Sequence, residues 1–238
     1  MTPLYYLPIF TTCLSAGFAG QLFRRYRYRR QAHHLWWGIG VLCYGVGTVT
    51  EATITLWGWH PILFRIWYVA GAILGGAPLA QGTVWLLLKP STARRLTWGL
   101  IAYVAFVLPF IFLSPIRWDL VDPHLPSGTV FAWQWIRAFS PFINLYAVVF
   151  LIGGALYSAI TFYRAYRRGA REQVWLKHRC LGNSLIALGA LLPGFGGVAS
   201  RLGHTEILYL LEATGLVLIW TGYRISLRKN RDWKPNFA

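Results

Sequence analysis

The sequence predicts an all-α, polytopic membrane protein with seven transmembrane helices, and residues 1–238 form one domain. Composition is the first observation behind this prediction, because 56% of the residues are hydrophobic and only 13% are charged, whereas soluble domains have about 25% charged residues. The second is a series of seven apolar runs, each close to the roughly 20 residues that cross a bilayer. The third is that basic residues cluster after alternate runs. All three observations favour the membrane as the solvent for this chain.

The seven predicted spans follow one another with mostly short connections. The first span has no basic residue before it and is followed by the run RRYRYRR, which is typical of a helix whose N-terminus lies outside rather than of a cleaved signal peptide. The predicted limits are Leu4 to Leu22, Leu35 to Trp57, Ile62 to Leu88, Leu96 to Leu113, Phe139 to Tyr163, Leu181 to Ser200 and Thr205 to Tyr223.

The distribution of basic residues predicts the orientation. Of the 23 lysines and arginines, 19 follow spans one, three, five and seven, and basic segments stay on the cytoplasmic side. We therefore expect a multi-pass protein of a prokaryotic cytoplasmic membrane, with its N-terminus outside and its C-terminus inside. The 19 residues are Arg24, Arg25, Arg27, Arg29, Arg30, Lys89, Arg94, Arg95, Arg164, Arg167, Arg168, Arg171, Lys177, Arg179, Arg224, Arg228, Lys229, Arg231 and Lys234.

These clusters also indicate the partners of the inner face. A net charge of +16 suggests nucleic acid at first sight, but the charges lie in four separate clusters between apolar runs, so no nucleic acid is expected. Segment 164–179 is typical of an interfacial helix that anionic lipids attract. Docking of a cytoplasmic partner on this segment is the alternative.

Glycine and proline interrupt two of the predicted spans. The third contains Gly71, Gly75, Gly76 and Pro78, and the sixth contains LLPGFGG, which includes Pro193. Proline removes a backbone donor and glycine weakens a helical turn, so we expect kinks or unwound stretches there. Interrupted spans in both halves of a chain are typical of transporter binding sites. The alternative is that the glycines allow close packing of helices.

Ionisable and polar residues inside the spans are the candidate ligand or ion site. An intramembrane charge is costly and by default indicates a pathway, a ligand or a buried pair. The predicted binding residues are Glu51, Arg65, Gln81, Tyr209 and Glu212, with the carboxylates as proton or cation sites. Two structural roles compete: Glu51 pairs with Arg65, or Glu212 bonds to Tyr209. Arg137 and Arg201 are further candidate counter-charges near the outer ends of spans.

A weak internal repeat is compatible with a three-plus-one-plus-three arrangement. At an offset of 144 residues, five residues in the first half match identical residues in the second: His34, Gly38, Gly45, His60 and Gly71 match His178, Gly182, Gly189, His204 and Gly215. The fourth span would then be a linker. In topology and length the chain resembles SWEET-type sugar transporters and vitamin-precursor transporters, but the resemblance extends to no individual residue.

No cofactor, metal or catalytic signature is expected. Cys13, Cys43 and Cys180 lack paired spacing, so neither a disulfide framework nor a zinc site follows. His60 and His204 precede inward-going spans, which leaves capping, interfacial packing and an outer metal or haem site open. All four lysines lie in inner segments, which excludes a retinal Schiff base. Phosphate-binding and hydrolase motifs are missing, so we expect no enzyme.

The leading functional hypothesis is a small-solute transporter, or a transporter-like binding protein, with its cavity between spans two, three, six and seven. A receptor-like sensor and an accessory subunit of a larger membrane complex are the alternatives. Partners would be the bilayer, anionic lipids, a small-molecule ligand, and either a membrane protein or another copy of the chain. The outer segment 114–138 contains Trp118, Phe131, Trp133, Trp135 and Ile136 and is either a connector in the interface or a lid.

Overall fold

In the computed structural model the described residues, 6–168, 173–202 and 204–227, are helical and contain no β-strand. Arg171, Arg228, Lys229, Arg231 and Lys234 of the predicted basic clusters lie outside these ranges, as does the side chain of Arg201. The helices are α1 (Leu7–Arg29), α2 (Ala32–Trp57), α3 (Pro61–Trp67), α4 (Ala77–Leu87), α5 (Pro90–Leu113), α6 (Phe139–Ala147), α7 (Gly153–Arg167), α8 (Val174–Arg201) and α9 (Thr205–Ser226). Two π-helical segments, Tyr68–Ile73 and Val148–Ile152, follow α3 and α6.

Five helical segments are long and apolar enough to cross a membrane: Ala32–Trp57, Pro61–Leu87, Pro90–Leu113, Gln134–Arg167 and Val174–Ser200. These correspond to predicted spans two to six. Helices α1 and α9 have 23 and 22 residues but do not meet the same criterion. α1 ends in an arginine-rich stretch, and α9 contains two glutamates and an arginine, which lowers their mean hydropathy. The chain is therefore an all-helical protein with the spans of a membrane protein.

The first and last helices lie side by side and close the bundle. Phe18 of α1 stacks on Trp220 of α9 with ring centroids 5.6 Å apart, and it also contacts Tyr223. The Trp220 indole N–H donates a 2.7 Å hydrogen bond to Gln21 Oε1. α2 packs between α1 and the third span. Of an apolar stretch of 18 residues in each helix, 56% is buried in α2 and 17% in α5. α2 is therefore the central helix, and α5 is peripheral.

The third span is interrupted at the cluster of glycines and proline where the sequence predicts a break. α3 passes into a π-helical segment, a turn at residues 74–76 separates this segment from α4, and Pro78 occupies the first turn of α4. In lipid every freed backbone group needs a partner, and the fifth span supplies one: Ser140 Oγ donates a 3.1 Å hydrogen bond to the Ala72 carbonyl. Gly76 lies against Ala147 of the same span. This interruption is thus held in place by a neighbouring helix.

Of the kinks or unwound stretches predicted for the sixth span, an unwound stretch is not formed, because α8 runs as one continuous helix through Pro193. Pro193 has no N–H to donate to the carbonyl of Gly189, four residues earlier. That carbonyl faces Gly215 of α9, where it lies 2.6 Å from the position a Cβ would take. A close approach of this kind between Cα–H and carbonyl groups stabilises helix contacts. The neighbouring helix covers the freed carbonyl without any unwinding.

The outer segment 114–138 folds over the turn between α2 and α3. An isolated antiparallel bridge joins Ile116 to Phe131, and the Phe131 ring packs 4.9 Å from both Phe64 and Tyr68. Phe131 and Ile136 are fully buried, while the three tryptophans of the segment are exposed. The predicted interfacial position therefore suits the tryptophans, and the other two residues anchor the segment to the bundle.

The glycines of the proposed repeat make different contacts in the two halves. A Cβ at Gly38 or Gly45 would meet Phe23 or Ser15 of α1, whereas a Cβ at Gly182 or Gly189 would meet the backbone of α9. In the first half these residues face the preceding span, and in the second half they face the following one. The offset of 144 residues therefore does not correspond to equivalent helix packing.

Candidate functional site

The structure brings Glu51 and Glu212 within electrostatic range of each other, although the two residues are 161 positions apart in the sequence. Glu51 is six residues from the C-terminal end of α2, and Glu212 is seven residues from the N-terminal end of α9. At about 1.5 Å per residue, both lie roughly 10 Å from those ends. Glu51 is only 2% exposed, and Glu212 is partly buried. The two carboxyl groups interact electrostatically, so we define them as the carboxylate pair.

Two aromatic side chains with polar groups hold the pair. Tyr44 of α2 donates its hydroxyl to the main-chain carbonyl of Glu212 at 3.1 Å, which joins α2 to α9. The Trp67 side chain, at the end of α3, lies close enough to the carboxyl group of Glu51 to interact with it. The pair therefore lies where α2, α9 and the beginning of the interrupted third span meet.

A stripe of polar residues leads from the outer end of α2 past the pair. Tyr44, Thr48, Glu51 and Thr55 recur at intervals of three and four residues, which places them on one helix face. Thr48 bonds to Thr12 of α1 at 2.9 Å. Thr55 Oγ1 donates to the carbonyl of His124 at 3.2 Å, and the His124 ring lies 3.1 Å from the Thr55 carbonyl. We call these four residues of α2 the polar stripe, and it ends beneath the outer segment.

Arg65 does not approach the carboxylate pair through any described contact. Its Nε donates to the Ile111 carbonyl at 3.2 Å, and its Nη2 donates to the Ser114 carbonyl at 2.9 Å. Both acceptors belong to the C-terminal end of α5, where carbonyls lack helical partners. The ion pair of Arg65 with Glu51 that the sequence left open is not formed. The guanidinium instead caps α5.

Gln81 is fully buried and joins three helices. Its amide nitrogen donates to the Ala93 carbonyl at 3.1 Å and to Thr97 Oγ1 at 2.8 Å, both on α5. Its oxygen accepts a hydrogen bond from the Tyr146 hydroxyl of α6. These contacts make Gln81 a packing residue in this conformation, and it lies apart from the carboxylate pair. Tyr209 is buried on α9, three residues before Glu212.

Two pockets of the bundle lie away from the carboxylate pair. One, of about 310 Å³, lies between the C-terminal parts of α1 and α9, and the other, of about 500 Å³, lies between the C-terminal part of α7 and the N-terminal part of α8. Neither pocket is lined by Glu51 or Glu212. In the conformation described, the pair has the chemistry to hold a proton or a small cation, and a larger solute needs the bundle to open.

The histidines predicted as outer metal ligands separate into different roles. His60 caps α3, because its Nδ1 accepts a 3.2 Å hydrogen bond from the main-chain N–H of Ile62. His204 is exposed at the start of α9 and makes no capping bond. Across the described ranges, no three His, Cys, Asp or Glu side chains gather into a group that could hold a metal ion.

Sequence reasoning missed Tyr44, Trp67 and the threonines of the polar stripe. A signal for the stripe was present, because polar residues at positions 44, 48, 51 and 55 follow a helical period within an apolar run. No comparable signal existed for Trp67, since its contact with Glu51 depends on how α3 packs on α2. Comparison with protein-family models, curated proteins and solved structures finds no match.

Proposed function

We propose that this protein is a small-solute transporter of a prokaryotic cytoplasmic membrane, in which the carboxylate pair binds a proton or a monovalent cation. It has seven spans, with its N-terminus outside and its C-terminus inside. The function is transport rather than catalysis. The observation that supports it most directly is the meeting of two intramembrane carboxyl groups with no basic partner among the described residues.

Packing supports the two spans that hydropathy alone does not identify. α1 lies against α2, and α9 lies against α8, and both helices are long enough to cross about 30 Å of hydrocarbon. The described basic residues of the inner clusters lie at the ends of α1, α5, α7, α8 and α9 that a seven-span arrangement places on one side. Two spans separate each basic cluster from the next, and an odd number of spans between two clusters would place them on opposite sides of the membrane.

The electrostatics of the pair favour cation binding. A buried carboxylate is costly in lipid, and two carboxylates in electrostatic contact repel each other. A proton or a cation held between them relieves both costs. Arg65 is the predicted counter-charge, but its described hydrogen bonds all go to α5. The bound ion is therefore the expected counter-charge.

The interrupted third span supplies the element that would move. Trp67, which interacts with Glu51, is the last residue of α3 and directly precedes the π-helical segment. π-helical segments recur at functional sites. Occupancy of the carboxylate pair would change the Trp67 contact, and the turn at residues 74–76 would allow α3 to move relative to α4. The polar stripe gives the ion a route from the outer segment to the pair.

The test compares Glu51→Gln and Glu212→Gln with the wild-type protein in detergent and in proteoliposomes. Thermal unfolding is measured in sodium, potassium and N-methylglucamine chloride at constant ionic strength, and a lumenal pH dye reports exchange of protons for external cations. Wild-type protein should respond in at least one of the two assays. Each variant should remain folded and lose that response, because a single carboxyl group cannot reproduce the pair.

Glu206→Gln is the matched control. Glu206 is a partly buried carboxylate in the first turn of α9, and it has no described contact with the pair. This variant should retain the wild-type response. Retention of the response by both Glu51→Gln and Glu212→Gln, or its complete absence in wild-type protein, would overturn the proposed function.

A further inference from the structure

The groove between the inner ends of α1 and α9 has the features of a ligand site that the proposed function does not use. Its volume is about 310 Å³, and its lining residues are Gly17, Gly20, Gln21, Arg24, Trp220 and Arg224. Neither carboxylate of the pair contributes to it. We propose that this groove binds one anionic phospholipid, with the headgroup phosphate held between Arg24 and Arg224.

The two arginines give the groove its charge. Arg24 comes from α1 and Arg224 from α9, and both side chains are exposed. Neither forms an ion pair within the described ranges, where Arg117 with Asp119 is the pair observed. Two guanidinium groups from different helices match a phosphate, because each offers several donors in a planar fork. The site is therefore short of negative charge and rich in donors.

The side-chain amide nitrogen of Gln21 adds a third hydrogen-bond donor to the groove. The indole N–H of Trp220 can only donate, so Gln21 presents its oxygen to it, at 2.7 Å. The amide nitrogen of Gln21 makes no hydrogen bond with the described residues and is free to donate to a headgroup. Stacking of Trp220 on Phe18 keeps the indole in place. Tryptophan is also enriched at the depth where headgroups lie.

The glycines leave room for the lipid and set its direction. A Cβ at Gly20 would meet nothing within 4 Å, and one at Gly17 would meet the Trp220 ring only at 3.4 Å. Further toward the outer end of α1, the exposed residues Phe10 and Ile9 are apolar. The groove is thus basic at one end, and exposed apolar residues of α1 lie beyond its other end, which fits a headgroup followed by an acyl chain better than it fits a free phosphate ion.

The other inner pocket lacks this combination. It is larger, at about 500 Å³, and its one lysine, Lys177, lies 5.1 Å from the centre of the Tyr166 ring in a cation–π contact. This pocket offers one lysine that is already in a cation–π contact, whereas the groove offers two arginines that form no ion pair with the described residues. Binding of the phospholipid should therefore depend on the groove between α1 and α9.

Thermal unfolding in mixed micelles tests the proposal, with phosphatidylglycerol titrated against phosphatidylcholine at constant total lipid. The double variant Arg24→Gln/Arg224→Gln should bind phosphatidylglycerol about 25-fold more weakly than wild type, because each basic residue near an anionic lipid surface contributes about fivefold. Arg94→Gln/Arg95→Gln is the matched control, since both arginines are exposed on the same side of the bundle in α5. Equal losses in the two double variants would overturn the proposal in favour of general charge attraction.

Filling the groove gives a second, charge-independent test. Gly20→Phe places a ring in open space and should abolish the preference for phosphatidylglycerol without lowering stability in phosphatidylcholine. Gly99→Phe, at a position that is also open, should preserve the preference. An unchanged preference in Gly20→Phe would overturn the assignment of the groove.

Soluble anions distinguish the source of the phosphate. Inorganic phosphate and glycerol phosphate should stabilise the wild-type protein at least tenfold less well than phosphatidylglycerol, because they cannot use the apolar part of the groove. Equal protection by a soluble phosphate would replace the lipid with a water-soluble ligand. None of these measurements depends on Glu51 or Glu212, so failure here and failure of the proposed transport are distinguishable.

Discussion

At the scale of single residues, glycine brings two backbones together at the contact between α8 and α9. Four glycines form the contact between α8 and α9: a Cβ at Gly182 would lie 2.5 Å from the Gly222 carbonyl, and a Cβ at Gly189 would lie 2.5 Å from the Gly215 carbonyl. Small residues at such interfaces are a common solution in membranes, where packing rather than water exclusion drives helix association. Of the glycines in the LLPGFGG stretch, Gly196 packs closely on Leu208 of α9, whereas a Cβ at Gly194 or Gly197 would meet nothing within 4 Å.

Substitution at this contact should be costly, and the cost should depend on position. Gly189→Ala should lower the free energy of unfolding by about 1–3 kcal/mol, because the added methyl group meets a backbone carbonyl that cannot rotate away. Gly194→Ala, in the same helix but with nothing within 4 Å of its Cβ, should be neutral or stabilising by up to about 1 kcal/mol. Thermal or denaturant unfolding in detergent measures both. Equal effects of the two variants would contradict the packing described.

At the scale of helices, the ends and interruptions are stabilised by side chains from neighbouring elements. Ser140 of α6 satisfies a carbonyl near the interruption in the third span, and Arg65 of α3 satisfies two at the end of α5. A helix C-terminus also carries partial negative charge, which favours a cation there. The position of Arg65 is therefore explained by helix capping, without any role as a counter-charge.

This explanation makes a prediction that separates stability from ion binding. Arg65→Gln should lower the free energy of unfolding by about 1–3 kcal/mol, because two carbonyl groups lose charged donors. The cation or proton response of the carboxylate pair should persist in this variant. Arg94→Gln, which removes an exposed arginine of α5, should leave both quantities unchanged. Loss of the ion response with unchanged stability would instead make Arg65 the counter-charge of the pair.

At the scale of the whole molecule, the contact of α1 with α9 determines which residues share a site. Phe18, Trp220 and Tyr223 form the aromatic contact that joins the two helices. Tyr44 of α2, which packs on α1, also bonds to the Glu212 carbonyl of α9, so Glu212 lies near the helix that carries Glu51. The same pairing of α1 with α9 forms the basic groove. Two separate sites therefore depend on the same pairing of the first and last helices.

The proposed orientation can be checked by labelling single cysteines. In a background where Cys13, Cys43 and Cys180 are replaced by alanine, Leu120→Cys in the outer segment should react with a membrane-impermeant maleimide in intact cells. Ser91→Cys, at the start of α5, should react only after the cells are permeabilised. Both positions are exposed, so access to the reagent decides the result. The reverse pattern would show an inverted protein.

Much of the helical arrangement could be predicted from the sequence because it depends on local properties. The five most apolar spans follow from composition and length, and the interruption in the third follows from the clustered glycines and Pro78. The sixth span shows the limit of such reasoning. Pro193 removes the same hydrogen bond in any helix, but only the position of Gly215 explains why α8 continues through it.

The sequence by itself determined that the chain is a helical membrane protein, which of its residues are costly to bury, and where the third span breaks. Hydropathy, charge and backbone propensity act over a few residues, so they can be read along the chain. Only the tertiary structure decided that Glu51 meets Glu212, that Arg65 caps α5 and that Gln81 joins α4 to α5 and α6. These contacts join separate helices, and their geometry depends on how the whole bundle packs.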